Sequence, residues 1–109
     1  MTTFDDREKA FENKYAHDAE MQFKANARGM RLLGSWAADK MGLIGAEAEA
    51  YAKEVIKSDF EEAGHEDVYR KVMGDFTAKA IAVDETTLRK KMSEFLAAGK
   101  AQVIDEVDG

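Results

Sequence analysis

Apolar residues recur every three or four positions through nearly all of this chain, and no proline interrupts them. That combination constrains the fold more than any other feature. Spacings of three and four put side chains on one helical face, and proline would break such a face by removing an amide donor and clashing with the preceding turn. The clearest stripe is Ala48, Tyr51, Ala52, Val55, Ile56, Phe60 and Ala63, with Gly64 where a left-handed helix terminus belongs. A second contains Val68, Tyr69, Val72, Met73, Phe76 and Ala80, and Glu66 and Asp67 suit the positive end of its helix. A third contains Leu88, Met92, Phe95, Leu96 and Val103, with Asp84 as its cap and Gly99 as a point where it ends or loosens. Residues 81 to 83 read as a short connector. No alternating strand pattern and no hairpin dipeptide is present. The expected fold class is therefore all-α, a four-helix bundle with helices over roughly 19–41, 46–63, 66–80 and 85–105.

The first stripe is longer than a bundle needs. Between residues 3 and 41 one face carries Phe4, Phe11, Tyr15, Ala25, Leu32, Leu33, Trp36 and Ala37, and the first glycine is Gly29. Read as one helix this is about 57 Å long, against roughly 25 to 30 Å for each of the other three. Either the first part projects beyond the bundle, or the chain bends near His17 and Asp18, with Asp18 capping a second helix. Both outcomes divide the chain into an N-terminal arm, residues 1–18, helical or disordered when free, and a bundle, residues 19–109. An amphipathic arm that is not needed to complete a core is a candidate binding element. The competing structural use of the same stripe is to cover the bundle.

Composition narrows the function. With 109 residues, 45% of them hydrophobic, the chain can build one modest core but not a large enclosed cavity as well. Zero cysteines exclude disulfides, thiolate metal sites and cysteine nucleophiles. The whole net charge of −6 is concentrated in residues 47 to 67, where eight acids face Lys53 and Lys57. A chain with that balance and no basic stripe is not expected to bind nucleic acid or insert into a membrane. The charged N-terminus is no signal peptide, and no apolar run reaches the roughly 18 residues of a membrane span. A cytoplasmic protein is expected.

The chemistry-bearing motifs are few. The glycines form no phosphate loop and no dinucleotide fingerprint. Gly42 and Gly45 flank a helix-to-helix turn, while Gly29, Gly34 and Gly74 weaken helices by about 1 kcal/mol each relative to alanine and are expected at close helix approaches. The run Asp59-Phe60-Glu61-Glu62-Ala63-Gly64-His65-Glu66-Asp67 lacks the alternating oxygen ligands of a calcium loop, so no metal is expected. No general base stands beside an evident nucleophile, so neither catalysis nor a cofactor is expected. Trp36, beside Leu32, Leu33 and Ala37, reads as a core anchor. His17 is a pH-sensitive candidate at the base of the arm.

Three blocks carry a resemblance: MTTFDDREKAFENKYAHDAEMQFKA, LLGSWAADKMGL and GAEAEAYAKEVIKSDFEEAGHEDVYRKV. Together they resemble the zeta subunit family, inhibitors of the bacterial F-type ATP synthase, over residues 1 to about 96. The resemblance implies a four-helix bundle with an inhibitory N-terminal segment that enters a catalytic interface of the synthase head, against the rotor stalk. There it opposes the rotation that hydrolyses ATP more than the synthetic rotation. Carried over, the segment is residues 1 to about 19, with Phe4, Asp5, Asp6, Arg7, Phe11, Lys14, Tyr15 and His17 at matching positions. The resemblance further implies an inhibitor that is not an enzyme, located at the cytoplasmic face of the inner membrane when bound. The rival reading is a helical binding module that takes a nucleotide weakly, with Arg89, Lys90 and Lys91 meeting its phosphates.

Overall fold

A computed structural model of the chain describes residues 18–60 and 64–108. Among them are four α-helices and no strand: α1 (Ala19–Lys40), α2 (Gly45–Ser58), α3 (Glu66–Ala78) and α4 (Glu85–Asp108). The all-α class and the bundle expected from the periodicity are what the structure shows.

Asp18 decides how the long N-terminal stripe is broken. Its backbone is extended (φ −108°, ψ 99°), and its carboxylate accepts a hydrogen bond from the Met21 amide at 3.1 Å. That is an N-cap, satisfying one of the donors a helix start leaves open, so α1 begins at Ala19. At its other end the Leu43 amide donates to the Ala38 carbonyl at 2.9 Å and the Gly42 amide to Asp39 at 3.1 Å. Gly42 sits between them with φ +76°, the left-handed position of a Schellman closure. The end of α3 repeats this pairing, Ile81 to Phe76 at 2.8 Å and Ala80 to Thr77 at 3.1 Å. Here the left-handed residue is Ala80, φ 57°, whose Cβ makes that conformation costly.

Two boundaries differ from expectation. The helix expected over 46–63 ends at Ser58, and Asp59 and Phe60 form a turn; residues 61 to 63 lie outside the described residues. Gly64 does adopt φ +83°, but it serves the link just before α3. Gly99 neither ends nor loosens α4, which runs through it. A Cβ there would stand 2.5 Å from the Gly29 nitrogen and 2.7 Å from the Ala25 carbonyl oxygen. The residue is glycine because the backbones of α1 and α4 meet at that point. Gly29 faces Leu96 and Gly34 faces Ala52 in the same way, whereas a Cβ on Gly74 would meet nothing within 4 Å.

The long helices α1 and α4 make the most extensive pairing, followed by α1 with α2; α3 meets α2 and α4 over fewer residues. The main core gathers Met30, Leu33, Val55, Val68, Val72, Phe76 and Leu88, all fully buried. Each such side chain contributes about 1.5–3 kcal/mol of transfer free energy. Trp36 packs on this core, edge-on to Phe76 at 5.7 Å and tilted to Phe95 at 6.2 Å. A smaller cluster of Met21, Ala25 and Val103, with Ile104 against it, joins the first turns of α1 to the last turns of α4.

Polar clasps hold the shorter helices. Tyr51 donates from its hydroxyl to Asp75 at 2.8 Å, and Lys71 lies over the Tyr51 ring while bridging to Asp75 at 3.2 Å. Burial first, and then the Asp75 carboxylate, push the Tyr51 phenol far up, so it stays a donor. Between α2 and α3, His65 Nδ1 and Asp59 Oδ1 are 2.7 Å apart.

Candidate functional site

The residues singled out by the sequence, Phe4, Asp5, Asp6, Arg7, Phe11, Lys14, Tyr15 and His17, lie outside the described residues. What the structure provides is the platform from which that segment departs. At its centre is the Asp18 cap, whose extended backbone marks the start of α1. Beside the cap run the first turns of α1 and the last turns of α4, fixed together by the Met21, Ala25 and Val103 cluster. Arg28 clamps the two helices on the outside, donating to Gln102 at 3.0 Å and pairing with Glu106 at 2.7 Å. The Arg28 hydrogen bond holds the Glu106 carboxyl below its ordinary range, and Glu106 raises Arg28 in turn.

The same end carries a feature the sequence reading missed. Phe23 and Phe60 stack with ring centroids 5.2 Å apart and 5° between their planes, yet Phe23 is 56% and Phe60 54% exposed. Phe60 was expected on the core face of a helix running to residue 63. Because α2 stops at Ser58, Phe60 falls in the following turn and rotates off that face. Phe23 lies two positions before buried Ala25, on the opposite side of α1 from the stripe. That offset, a large aromatic on an otherwise polar face, was the available signal.

The rival site is differently disposed. Arg89 is committed to protein partners: it pairs with Glu66 and Glu85, each at 2.8 Å, and lies 4.0 Å from the centroid of the Tyr69 ring. Those contacts hold the Glu66 carboxyl below its ordinary range and push Arg89 further up. Lys91 pairs with Glu94 at 3.4 Å. The open depression beside Arg89, about 290 Å³, is lined by His65, Glu66, Arg89, Met92, Ser93 and Leu96. A second groove of about 280 Å³ lies between α1 and α2, where Arg31 faces Glu49 at 3.8 Å. Among the described residues no group of three or more His, Asp or Glu is placed to hold a metal ion. Also among them, no helix is long and apolar enough to cross a membrane.

Fold and platform define a class: a small all-α bundle that presents an aromatic surface at the root of its N-terminal segment. Comparison with known families goes further. The family model described as ATPase inhibitor subunit zeta matches residues 1–102, and the chain belongs to that family. The match spans the N-terminal segment as well as the bundle. Four solved chains are similar. One, a protein determined in solution by NMR, superimposes with a TM-score of 0.70 at 53% identity, covering 79% of this chain and 98% of that one. No curated protein matches.

Proposed function

We propose that this protein inhibits ATP hydrolysis by an F-type ATP synthase, and that residues 1–18 are its inhibitory arm. The observation that carries the reading is that the family match begins at residue 1 and continues through the bundle. The segment before Asp18 thus lies within the family match, and the start of α1 at the Asp18 cap supports reading that segment as a separate unit. In this reading the bundle, residues 19–109, is a holder and the arm is the effector. The arm enters a catalytic interface of the synthase head against the rotor stalk, at the cytoplasmic face of the inner membrane. The protein regulates and does not itself catalyse.

The physical scheme is that of an amphipathic helix in a groove. Phe4, Phe11 and Tyr15 share one helical face and supply the apolar anchors, with Arg7, Lys9, Glu12 and Lys14 making polar contacts around them. Affinity in such interfaces concentrates in a few buried aromatics.

The test is hydrolysis by the cognate synthase head with added protein, comparing the full chain with a chain lacking residues 1 to 17. Asp18 is retained so that α1 keeps its cap. Inhibition by the full chain alone, with the shortened chain still cooperatively folded, is the expected outcome. Phe11→Ala should weaken inhibition by about 1 kcal/mol or more, roughly fivefold. Equal inhibition by full and shortened chains would refute the assignment of the arm, and no inhibition by the full chain would refute the function.

A further inference from the structure

The Phe23–Phe60 pair belongs to neither core cluster, and more than half of each side chain faces solvent. Isolated exposed aromatics are ordinary on protein surfaces, but two rings already stacked present a contiguous apolar face that a third ring can extend. Position identifies the occupant. Phe23 is five residues past Asp18, the cap at which α1 begins and to which seventeen further residues are attached. A segment tethered that closely is present at an effective concentration on the order of millimolar, far above that of a second copy at ordinary protein concentrations.

Register agrees with position. Seventeen residues in helical form reach about 26 Å, so a segment turned back at Asp18 spans most of α1. In such a hairpin Tyr15 falls opposite the first turn of α1 and Phe11 about one turn further on. These two lie four apart, hence on one face, and Phe23 lies between them. We propose that the Phe23–Phe60 pair is an intramolecular docking site for the chain's own residues 1 to 17, receiving Phe11 and Tyr15 against its rings. Any partner that takes the same stripe must displace this contact, so its apparent affinity falls with the fraction of chains whose segment is free. The contact does not depend on the inhibitory reading.

The experiment uses the full chain, which contains no cysteine of its own. Lys9→Cys carries a nitroxide label, and amide broadening is read across the isotope-labelled protein by NMR. The expected result is strong broadening around Phe23 and Phe60 and little around residues 41 to 45 and 80 to 84 at the opposite end. It should disappear in Phe23→Ser combined with Phe60→Ser, two exposed positions whose replacement leaves the unfolding temperature essentially unchanged. Absent or evenly spread broadening would overturn the proposal, as would persistence in the double variant. A mixture of spin-labelled, unenriched protein with unlabelled, enriched protein distinguishes a second copy. Broadening that transfers to that mixture would also overturn the proposal.

Discussion

Gly99→Ala adds one methyl group where α1 and α4 touch backbone to backbone. Its Cβ would stand 2.5 Å from the Gly29 nitrogen, 2.7 Å from the Ala25 carbonyl oxygen and 2.9 Å from the Gly29 Cα. Carbon contacts are comfortable at about 3.5 Å or more, so the helices must separate by about 1 Å. No flexible side chain is available to yield in their place. Overpacking of this kind costs about 1–3 kcal/mol, while replacing a helix-interior glycine by alanine returns about 1 kcal/mol. The crossing lies within the most extensive helix pair and next to the Met21, Ala25 and Val103 cluster. The cost should therefore fall toward the upper part of its range, leaving a net loss of about 1–2 kcal/mol. For a domain of this size that lowers the unfolding temperature by about 5–15 °C. Gly74→Ala is the matched control: it is also mid-helix, but its Cβ meets nothing within 4 Å. It should gain about 1 kcal/mol and raise the midpoint by roughly 4–8 °C. Thermal unfolding followed by far-ultraviolet circular dichroism and Trp36 fluorescence reads both. Gly99→Ala melting at or above the parent temperature while Gly74→Ala behaves as expected would refute the close crossing.

Three further outcomes follow from the same structure. Ala80→Gly should stabilise by about 0.5–1 kcal/mol in urea titration, because it relieves a left-handed alanine at a helix terminus while loosening the unfolded chain. Asp18→Ala should cost about 1 kcal/mol by loss of the α1 cap, and the amide-exchange protection it removes should be confined to the first turn of that helix. Glu66 is held below its ordinary pKa chiefly by hydrogen bonding to Arg89. Its contribution is therefore present at neutral pH and lost as pH falls from the ordinary glutamate range through the lowered folded value. The urea midpoint should fall across that window, and fall less in Glu66→Gln; an equal fall in both would show that this pair carries none of the acid sensitivity.

The helices were legible because their burial is one-sided. Val68, Val72 and Phe76 recur at four-residue spacing and are all buried, as are Leu88 and Met92. The caps were legible for a local reason: Asp18 and Asp84 each accept from an amide three residues on, an arrangement that needs no knowledge of the rest of the chain. Gly99 was opaque because a glycine that breaks a helix and one that admits another helix look the same in sequence. Only its neighbours Gly29 and Ala25, some seventy residues away, tell them apart. Phe60 was misplaced because a stripe at the right spacing continues past the point where α2 stops. The candidate site had two origins in the sequence. The expectation of a separable arm follows from helix length and the Asp18 signal, while the partner proposed for it came through the resemblance of residues 1 to 96, since no spacing of Phe4, Phe11 and Tyr15 names a binding partner.

The pairing of α1 with α4 has a practical corollary for anyone handling this protein. Because Val103 packs on Met21 and Glu106 grips Arg28, the last turns of the chain lie alongside the first turns of the bundle. A fluorescent protein or purification handle fused after Gly109 would thus sit close to the doorstep of the bundle, where α1 begins. A silent fusion in an activity assay would then report crowding at that doorstep, and labels intended to leave the segment unhindered belong at the far end, in the loop around Gly42.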